Sequence, residues 1–578
     1  MVNNFIELRR RDVYYNDICL PVDLPPLLRR IYLQRGIKKA SELERSTKYL
    51  LPWQMLDGID TAVSLLYYML QNKRRILVIG DFDVDGATST ALTVLALRSM
   101  GGNIDFLIPD RFKHGYGLTS ELVEEAIIYG TDMILTVDNG ISSHSGVNTA
   151  NQYGIPVIIT DHHLPSMTLP SAEAIVNPNL KDSRFPSRSL AGVGVAFYLM
   201  LALRAYLRQK NWFVNGQKEP NLAIFLDLVA LGTVADLVPL DANNRILVWQ
   251  GINRIRTGKC CKGISALLEL TNCNTYLLSA RDLSFIIGPK LNAAGRLANM
   301  SIGVSLLLTE HITQARRLAR ILHSLNQKRK QIENSMQYEA LKICKSLEKQ
   351  ESILPLGLIF YHPKWHQGII GILASRLKER FQRPVITFAS VGNGMLKGSG
   401  RSIIGLHLRD ILENINMLFP SLITKFGGHA MAVGLLLEEK KYEEFCQHFI
   451  ISIKKKIGHK DLNSIIWSDG ELYKHDLSLK TAEMLLNAGP WGQEFPEPVF
   501  DGHFKLVHQQ LVGKNHLKVI VKHIKGGPQI CGIAFNINTN LWPNSKICYV
   551  KLAYKLNINE YRGNRSMQLI IDNIWPKV

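Results

Sequence analysis

Short apolar runs recur in the first half of the chain, and an aspartate follows each of them within two residues. Ile76–Ile79, Met133–Val137 and Ile155–Thr160 are runs of this kind. Stretches with the amphipathic spacing of helices lie between them, at Thr88–Met100 and Ser120–Tyr129. Because short buried strands that alternate with helices are typical of βα units, the pattern predicts a parallel α/β sheet.

The remaining pattern divides the chain into further predicted domains. Residues 1–70 are expected to form an N-terminal helical segment, and residues 71–310 the first α/β domain. A charged stretch at 311–350 has the spacing of one long connecting helix. A second α/β domain is predicted at 351–466, and a small barrel of oligonucleotide-binding (OB) type at 467–578. The expected fold class is therefore α/β and multidomain.

The barrel prediction rests on short β-rich runs near the C-terminus, such as Leu517–Val521, Ile547–Leu552 and Met567–Ile571. Residues 501–578 contain eleven basic and three acidic residues. The whole chain has 68 Lys and Arg against 49 Asp and Glu, which gives a net charge of +19. An excess of this size favours a polyanionic partner, although a solvated basic surface is the alternative.

Cysteine usage and the apolar runs exclude several classes of protein. The eight cysteines form no C-x-x-C pair, which argues against a zinc ribbon, and their scatter is typical of reduced thiols. No apolar run approaches the roughly 20 residues that cross a bilayer. The polar stretch Met1–Arg11 lacks the apolar core of a signal peptide. We therefore expect a cytoplasmic protein with no membrane partner.

Three carboxylates follow the first apolar run at alternate positions, as Asp81, Asp83 and Asp85. If the chain stays extended there, all three point the same way. Like charges this close repel one another unless a cation neutralises them, and hard divalent ions are the usual partners. A solvated acidic turn is the alternative. A calcium-binding EF-hand does not fit, because a strand precedes the motif and the spacing differs.

Further candidate ligands follow the other two runs. Asp138 precedes Asn-Gly, which alone indicates only a turn, but it follows the second apolar run directly. Asp161, His162 and His163 follow the third run, and they combine metal-ligand types with a carboxylate that can orient a histidine. Because chemistry gathers at the carboxyl ends of parallel strands, we expect these residues to form one site.

Two motifs further along the chain need a choice between alternatives. Asp236 lies in the apolar stretch Leu228–Leu240, where a carboxylate is unfavourable unless it is paired or metal-bound. A helix N-cap is the alternative, although Pro239 follows too closely for a long helix. Gly192-Val193-Gly194 is not a dinucleotide-binding motif, because no apolar strand precedes it and the third glycine is missing; a turn that opens a helix fits better.

These motifs together resemble a known family. GDFDVDG, VDNG, DHH and GTVADLVPL occur in this order and closely resemble the four motifs of the DHH phosphoesterases. Further segments resemble the RecJ family, which is one of the DHH phosphoesterase families. Together the resemblance covers nearly the whole chain from about residue 50. Those segments are Gly288–Arg296, Trp365–Leu377, Lys397–Ser402, Phe426–Ala430 and Tyr561–Gln568.

The resemblance implies a site for two divalent metal ions, Mn²⁺ or Mg²⁺, and roles for its residues. It implies that Asp138 bridges the two ions. It assigns Asp83 to one ion, and Asp85, His162 and Asp236 to the other. It gives Asp81 and Asp161 supporting roles, and it implies that His163 contacts the scissile phosphate or assists the leaving group.

The resemblance also implies residues that bind DNA. Arg296 is expected at the phosphate backbone, while Ser399, Arg401 and Arg111 resemble a pocket for a 5′-terminal phosphate. His429 follows two glycines, where backbone can approach a phosphate closely. The basic barrel itself suits single-strand binding by charge and aromatic stacking, and a structural barrel with ordinary surface lysines is the alternative. Its candidate contact residues are Lys514, His516, Lys518, Tyr561, Arg562 and Arg565.

The function implied is a metal-dependent exonuclease that degrades single-stranded DNA from 5′ to 3′ into mononucleotides, in DNA recombination and repair. The expected partners are single-stranded DNA with a 5′ end, a single-stranded-DNA-binding protein and a helicase that supplies single strands. One alternative is a DHH phosphodiesterase for short RNA or cyclic dinucleotides, but such relatives are generally shorter and lack the barrel. Another is a DNA-binding scaffold with a dead site, but every candidate ligand is retained here.

Overall fold

A computed structural model describes residues 6–13, 19–214, 218–351, 354–457 and 464–577. The chain forms two compact units, one of residues 9–323 with 467–578 and the other of residues 324–466 with the N-terminal residues to Leu8. Parts of the predicted N-terminal helical segment, at 1–5 and 14–18, lie outside the described residues. Among the helices of the described ranges, none combines the length and apolar character that a bilayer crossing requires.

The N-terminal segment is only partly helical. It contains strand β1 (Ile6–Arg10), helices α1 (Pro26–Gln34) and α2 (Ile59–Gln71), and 3-10 turns at Ala40–Leu43, Thr47–Tyr49 and Trp53–Met55. The strand was not predicted, because it is short and mostly exposed and its pairing partner, β12 (Ser464–Ser468), is distant in the sequence.

The predicted parallel sheet is present. It consists of β2 (Arg75–Gly80), β3 (Asn103–Leu107), β4 (Met133–Val137), β5 (Val157–Thr160) and β6 (Ala174–Val176). All neighbouring strands are parallel, in the order β3-β2-β4-β5-β6. Strands β4 and β5 are buried at every position, as expected for a sheet covered on both faces. Because β2, β4 and β5 are adjacent, the residues that follow them share one edge.

Helix α3 (Val84–Ser99) differs from the amphipathic helix predicted at Thr88–Met100. It begins four residues earlier, and it is buried on nearly every face because helices from several later segments pack around it. Several of its hydroxyls tolerate burial because they donate to carbonyls of the preceding turn, as Thr88 does to Val84 (2.9 Å) and Thr90 to Gly86 (2.7 Å). Helices α4 (Ser120–Ile128) and α5 (His144–Gln152) complete the βα pattern.

A helical layer follows the sheet. It comprises α6 (Gly192–Gln209), α7 (Leu226–Ala235), α8 (Ala242–Arg256), α9 (Lys262–Leu270), α10 (Ala280–Asp282), a π-helical turn at Leu283–Ile287, α11 (Gly288–Leu297) and α12 (Ser301–Leu308). Short 3-10 turns lie at Leu222–Phe225 and Thr275–Leu277. Gly192 opens α6, as the sequence predicted. A long charged helix, α13 (Ile312–Glu351), follows, while its role as the connection between domains stays a prediction.

The second unit contains the predicted second α/β domain. Its elements are β7 (Leu358–Tyr361), α14 (Ile370–Phe381), β8 (Val385–Ser390), β9 (Met395–Arg401), α15 (Leu408–Leu418), β10 (Lys425–Gly428), β11 (Ala432–Glu438), a 3-10 turn at Glu439–Lys441 and α16 (Tyr442–Ile457). The sheet order is β10-β11-β9-β8-β7, and only β7 and β8 pair in parallel. Phe388, Phe445 and Phe449 lie in its core.

The predicted OB-type barrel is confirmed at the C-terminus. After α17 (Leu479–Ala488), the strands β13 (Phe500–Val512), β14 (His516–His523), β15 (Gln529–Ala534), β16 (Tyr549–Tyr561) and β17 (Asn564–Lys577) close in the order β13-β14-β15-β17-β16. The barrel belongs to the same compact unit as the parallel sheet. Contacts such as Asn274 Nδ2 to Glu560 Oε2, at 2.9 Å, join the barrel to the helical layer.

Candidate metal centre

The candidate ligands that follow β2, β4 and β5 meet at one edge of the parallel sheet. Asp81 follows Gly80, Asp138 follows Val137, and Asp161 follows Thr160. All three side chains are buried, with at most 5 % of each residue exposed. The structure therefore brings the strand-end residues into one site at the carboxyl edge, where parallel sheets carry their chemistry.

The backbone of the acidic motif differs from the extended conformation that the sequence analysis considered. The backbone turns into α3 at Val84, so that Asp83 caps the helix and accepts a hydrogen bond from Gly86 N at 3.1 Å. Asp85 lies in the first helical turn and is 1 % exposed. The chain does not stay extended through Asp85, because the motif also supplies a helix N-terminus, where carboxylates accept backbone N–H groups.

A second helix N-terminus fixes Asp85. Its carboxylate accepts hydrogen bonds from Gly192 N at 2.6 Å and from Val193 N at 2.9 Å, which are the first residues of α6. A Cβ atom on Gly192 would lie 2.6 Å from Oδ1 of Asp138. Only a glycine therefore allows α6 to approach both carboxylates this closely.

Asp138 has a strained backbone. Its φ is +63°, which is uncommon for any residue other than glycine, and its N–H donates to Thr160 O at 3.0 Å. The neighbouring Asn139 side chain donates to Ile79 O (3.0 Å) and Val137 O (2.9 Å), which ties the turn to strands β2 and β4. Strain of this kind persists where surrounding contacts impose it, often at functional sites.

His162 lies among three carboxylates. Its Nε2 atom is 3.1 Å from Oδ1 of Asp138, 3.5 Å from Oδ2 of Asp236 and 3.8 Å from Oδ2 of Asp85. Asp236 is the C-terminal cap of α7, so the alternative of a helix N-cap is excluded. The backbone carbonyl of His162 accepts a hydrogen bond from Asn179 Nδ2 at 2.6 Å, which holds the loop in place.

Asp161 and His163 form a separate pair. Nδ1 of His163 lies 2.7 Å from Oδ1 of Asp161, which also accepts the N–H of His162, while Oδ2 of Asp161 accepts the N–H of Ile141 at 3.0 Å. Burial would raise the pKa of Asp161, but the hydrogen bond and charge of His163 outweigh it, so this pKa lies below its usual value. Burial opposes protonation of His163, yet Asp161 raises the pKa of His163 to about 9.

The carboxylates of the remaining cluster carry raised pKa values. Burial and then the charge of Asp83 raise the pKa of Asp81 to about 8, and that of Asp236 to about 7. Burial and neighbouring carboxylates also raise the pKa values of Asp85 and Asp138 well above the usual range. Crowding of this kind is resolved when cations bind among the carboxylates.

Three groups of side chains bring donor atoms within 4.8 Å of one another, as a metal ion requires. They are Asp81, Asp83 and Asp138; Asp85, His162 and Asp236; and Asp138, His162 and His163. Within the described residues, Oδ1 of Asp81 and Oδ1 of Asp138 are buried and accept no hydrogen bond. The residues therefore fit divalent cations, and hard oxygen donors together with imidazole suit Mn²⁺ or Mg²⁺.

Several residues at the site were not singled out from the sequence. The Tyr116 hydroxyl lies 3.1 Å from Nδ1 of His163 and 3.4 Å from the carbonyl of Asp138. Asn177 donates to His163 O at 2.9 Å, next to the bond that Asn179 makes. A signal for both asparagines was available, because Asn177-Pro178-Asn179 directly follows the short apolar run of β6. Tyr116 gave a weaker signal, as an aromatic residue between two glycines.

Two of the predicted phosphate-binding arginines also lie in this unit. The Arg111 guanidinium lies over the Phe82 ring at 4.0 Å, beside the acidic motif, and burial lowers its pKa. Arg296 follows Gly295 on α11. A Cβ atom on Gly295 would lie 1.8 Å from the carbonyl oxygen of Phe82. Asn292 of the same helix accepts the N–H of Val84 at 3.2 Å. The structure therefore packs α11 against the loop that carries the ligands.

The other predicted phosphate-binding residues lie in the second unit. Ser399 and Arg401 are two positions apart on β9 and share one face; Nη1 of Arg401 is 3.3 Å from Oγ of Ser399. A Cβ atom on Gly371, in the first turn of α14, would lie 3.0 Å from that Oγ. Burial lowers the pKa of Arg401. His429 lies in the turn between β10 and β11, where its N–H donates to Ala432 O at 2.8 Å.

Comparison with known proteins agrees with this architecture. Residues 75–233 match the N-terminal domain of the DHH family, 354–455 match the DHHA1 domain, and 468–573 match the RecJ OB domain. A parallel sheet with an Asp- and His-rich metal site at its carboxyl edge, matched by the DHH model, defines the class as a DHH-type phosphoesterase.

Relatives that match over nearly the full length of the chain identify its family within this class. The chain is 60% identical over 573 residues to the single-stranded-DNA-specific exonuclease RecJ of Escherichia coli, and the match covers 99% of both chains. It is 52% identical over 554 residues to that of Haemophilus influenzae, a match that covers 95% of this chain and 96% of the relative. The crystal structure of RecJ with Mn²⁺ from Thermus thermophilus matches with a TM-score of 0.80 and 27% identity, over 100% of this chain and 80% of that one. The chain therefore belongs to the RecJ family.

Proposed function

We propose that this chain is a metal-dependent exonuclease that degrades single-stranded DNA from 5′ to 3′ into mononucleotides, in DNA recombination and repair. The observation that carries the proposal is the cluster of three overlapping donor groups at the carboxyl edge of the sheet, with Asp138 in two of them. The full-length relatives named as single-stranded-DNA-specific exonucleases support the substrate. The complete donor set argues against a dead site.

The proposed ligands divide between two ions. Asp138 would bridge them, Asp83 would hold one with Asp81 beside it, and Asp85, His162 and Asp236 would hold the other. When bound, two such ions supply an activated water and neutralise charge on the phosphate and the leaving oxygen. The protein fixes the carboxylates beforehand, through the N-termini of α3 and α6 and the strained turn at Asp138.

His163 is proposed to act on the phosphate or the leaving oxygen. Asp161 raises the pKa of this imidazole to about 9 and fixes its ring, and Tyr116 makes a further hydrogen bond to the same ring. A protonated histidine in this position donates a hydrogen bond or a proton to an oxygen that gains negative charge in the reaction. Asp161 is thus a positioning residue, because its carboxylate oxygens are used by His163 and by backbone N–H groups.

Substrate binding is assigned to basic residues outside the donor groups. Arg296 and His429 would bind phosphates of the strand, while Arg111, Ser399 and Arg401 remain the residues predicted to bind a terminal 5′ phosphate. The barrel would bind the strand by charge and stacking, through Lys514, His516, Lys518, Tyr561, Arg562 and Arg565. In support, Tyr561 is 64% exposed at the β16–β17 hairpin, and the Arg562 guanidinium lies 5.2 Å from its ring centroid.

End-labelled oligonucleotides test the proposed function. A 5′-phosphorylated single strand should be degraded to mononucleotides from its 5′ end with Mn²⁺ or Mg²⁺, and the same sequence as a blunt duplex should persist. Asp138→Ala should abolish the activity, while Asp60→Ala, at an exposed position on α2, should not. Faster hydrolysis of a cyclic dinucleotide or short RNA than of the DNA strand would contradict the proposal.

The partners and location follow from the same proposal. A helicase and a single-stranded-DNA-binding protein would supply and present single strands, and the cytoplasm is the compartment that the eight free cysteines favour. A duplex whose 5′ ends are both recessed should become a substrate only when a helicase and ATP are added. Degradation of the duplex without a helicase would contradict the need for such a partner.

A further inference from the structure

A cavity of about 500 Å³ lies at the C-terminal end of α7, within the unit that holds the metal centre and the barrel. Its walls come from that end of α7, from α8, from the π-helical turn Leu283–Ile287 and from β16. Cavities of roughly 300–1,000 Å³ with mixed apolar and polar walls commonly take organic ligands. None of the residues assigned above to metal, phosphate or barrel contacts lines it.

One peptide link separates the metal centre from this cavity. Asp236 belongs to the donor group with Asp85 and His162, and the next residue, Leu237, lines the cavity. The Asp236 side chain is 24% exposed, compared with 0% for Asp85, so Asp236 is the more accessible of these two carboxylates. Leu237 has a φ of +60°, an outlier for a bulky residue, and is 54% exposed. The fold therefore holds an apolar side chain at the rim, next to a ligand.

An aromatic side chain is exposed in the same cavity. Phe285 is 66% exposed and lies in the π-helical turn, a rare element that often marks functional positions. Trp249 and Trp491 also line the cavity. Aromatic faces stack on bases of any sequence, which suits an enzyme that must process every sequence.

The charge of the walls suits a nucleic acid. Four basic and two acidic side chains line the cavity: Arg45, Arg256, Arg281 and Lys555, with Asp282 and Glu497. Glu497 is shared between Arg281, at 3.6 Å, and Lys555, at 3.1 Å. The excess of positive charge at an apolar cavity fits a base with its attached phosphate.

We propose that this cavity is a base-binding subsite of the nuclease, in which one unstacked base of the substrate strand lies against Phe285. Leu237 guides the strand from the metal centre to the cavity, and the basic rim faces its phosphates. The proposal rests on the proposed function, because the ligand is the same DNA strand. The subsite adds a second contact, close to the reacting phosphate, through which the enzyme binds the DNA strand independently of its sequence.

A scan with abasic sites tests the subsite. In 5′-phosphorylated single strands, one abasic residue is placed at each successive position, and the dissociation constant and the cleavage rate are measured. We expect the wild type to lose affinity at one or two adjacent positions, by roughly 5- to 100-fold, the range for one lost stacking contact. Phe285→Ala should weaken binding of the intact strand by a similar factor and remove the penalty at those positions. Phe285→Tyr should bind the intact strand as the wild type does and should retain the penalty at those positions.

Tyr153→Ala is the matched control, because Tyr153 is 60% exposed in the same unit and does not line the cavity. It should bind every strand as the wild type does. A flat abasic profile on a strand that is degraded, or a profile that Phe285→Ala leaves unchanged, overturns the subsite while the nuclease function stands. A wild-type enzyme that leaves the unmodified strand intact overturns the proposed function, and the subsite with it.

Discussion

Nε2 of His162 lies 3.1 Å from Oδ1 of Asp138, although the two residues follow different strands of the sheet. Both belong to the donor groups of the site, and Asp138 belongs to two of the three groups. A carboxylate in this position can serve two ions at once, whereas the other carboxylates each belong to one group. The central position of Asp138 is therefore the most direct structural support for a site with two ions.

Asp138→Asn tests that position with little change of shape. The amide keeps the side-chain volume but loses the charge, so we expect metal affinity to fall and the cleavage rate to drop by at least about 100-fold. In wild-type protein, added Mn²⁺ should raise the melting temperature, because the ion binds only the folded state. In the variant this rise should be much smaller. Asp60→Asn is the control, and an unchanged rise in Asp138→Asn would exclude a bridging role.

Gly192→Ala tests the close approach of α6. The added Cβ atom would lie 2.6 Å from Oδ1 of Asp138, so the carboxylate or the helix must move. We expect about 1–3 kcal/mol lower stability and a marked loss of metal affinity. Gly194→Ala, on the same helix, is the control, because the three atoms nearest to its Cβ belong to the Leu190 side chain, with Cδ2 at 3.1 Å. Equal effects of the two substitutions on metal affinity would contradict this account.

The class of fold and the strand-end ligands could be predicted from the sequence, because both depend on local patterns. A buried strand of the parallel sheet is a short apolar run, and the residue after it must lie at the carboxyl edge. Asp138 and Asp161 therefore needed only the position of their strands. The barrel could be predicted for the same reason, since its strands β14, β16 and β17 contain the short β-rich runs.

The orientation of the acidic motif could not be predicted, because the groups that fix it are distant in the sequence. Asp85 accepts hydrogen bonds from Gly192 and Val193, and no local pattern links these residues. The contact of Tyr116 with His163 depends in the same way on two loops that meet only in the folded sheet. Local spacing thus indicated the identity of the ligands but not the supports that hold them.

Tyr116→Phe removes one of those supports. The hydroxyl lies 3.1 Å from Nδ1 of His163, and its loss should leave that ring less well oriented. We expect the turnover number to fall about 5- to 10-fold, the effect of one hydrogen bond, with little change in KM. Tyr153→Phe, at an exposed position, is the control. A change confined to KM would indicate that Tyr116 contacts the substrate and does not position His163.

The hydrogen-bonded pair of Asp501 and Arg10 should make the stability of the protein depend on pH. It accepts hydrogen bonds from Arg10 Nη2 (2.7 Å) and Ser468 Oγ (2.5 Å); burial opposes its ionisation, but these partners outweigh burial and lower its pKa. Since the folded pKa is below the unfolded one, the stabilisation is full above the unfolded pKa of about 3.9 and is lost as pH falls through the folded value. Asp501→Asn should lower the free energy of unfolding by about 1–3 kcal/mol at pH 7.

The difference between wild type and Asp501→Asn should shrink as denaturant titrations are carried from about pH 6 down to about pH 3, the range that brackets the unfolded pKa. Asp60→Asn, at an exposed position on α2, provides the control for a carboxylate of the same unit. A difference that stays constant over this range would mean that Asp501 contributes through packing and not through its charge.

Arg401→Ala tests the proposed recognition of a terminal phosphate. Arg401 is partly buried beside Ser399 on β9, so its guanidinium is held in place before any ligand binds. A hydrogen bond to a charged group contributes about 1.5–3 kcal/mol, so the preference for 5′-phosphorylated over 5′-hydroxyl strands should fall roughly 10- to 100-fold. The rate on 5′-hydroxyl strands should change little, because they lack the group that Arg401 binds. Arg380→Ala, exposed on α14, is the control. If the rates on 5′-phosphorylated and 5′-hydroxyl strands fall equally, Arg401 supports the folded structure and does not recognise the 5′ phosphate.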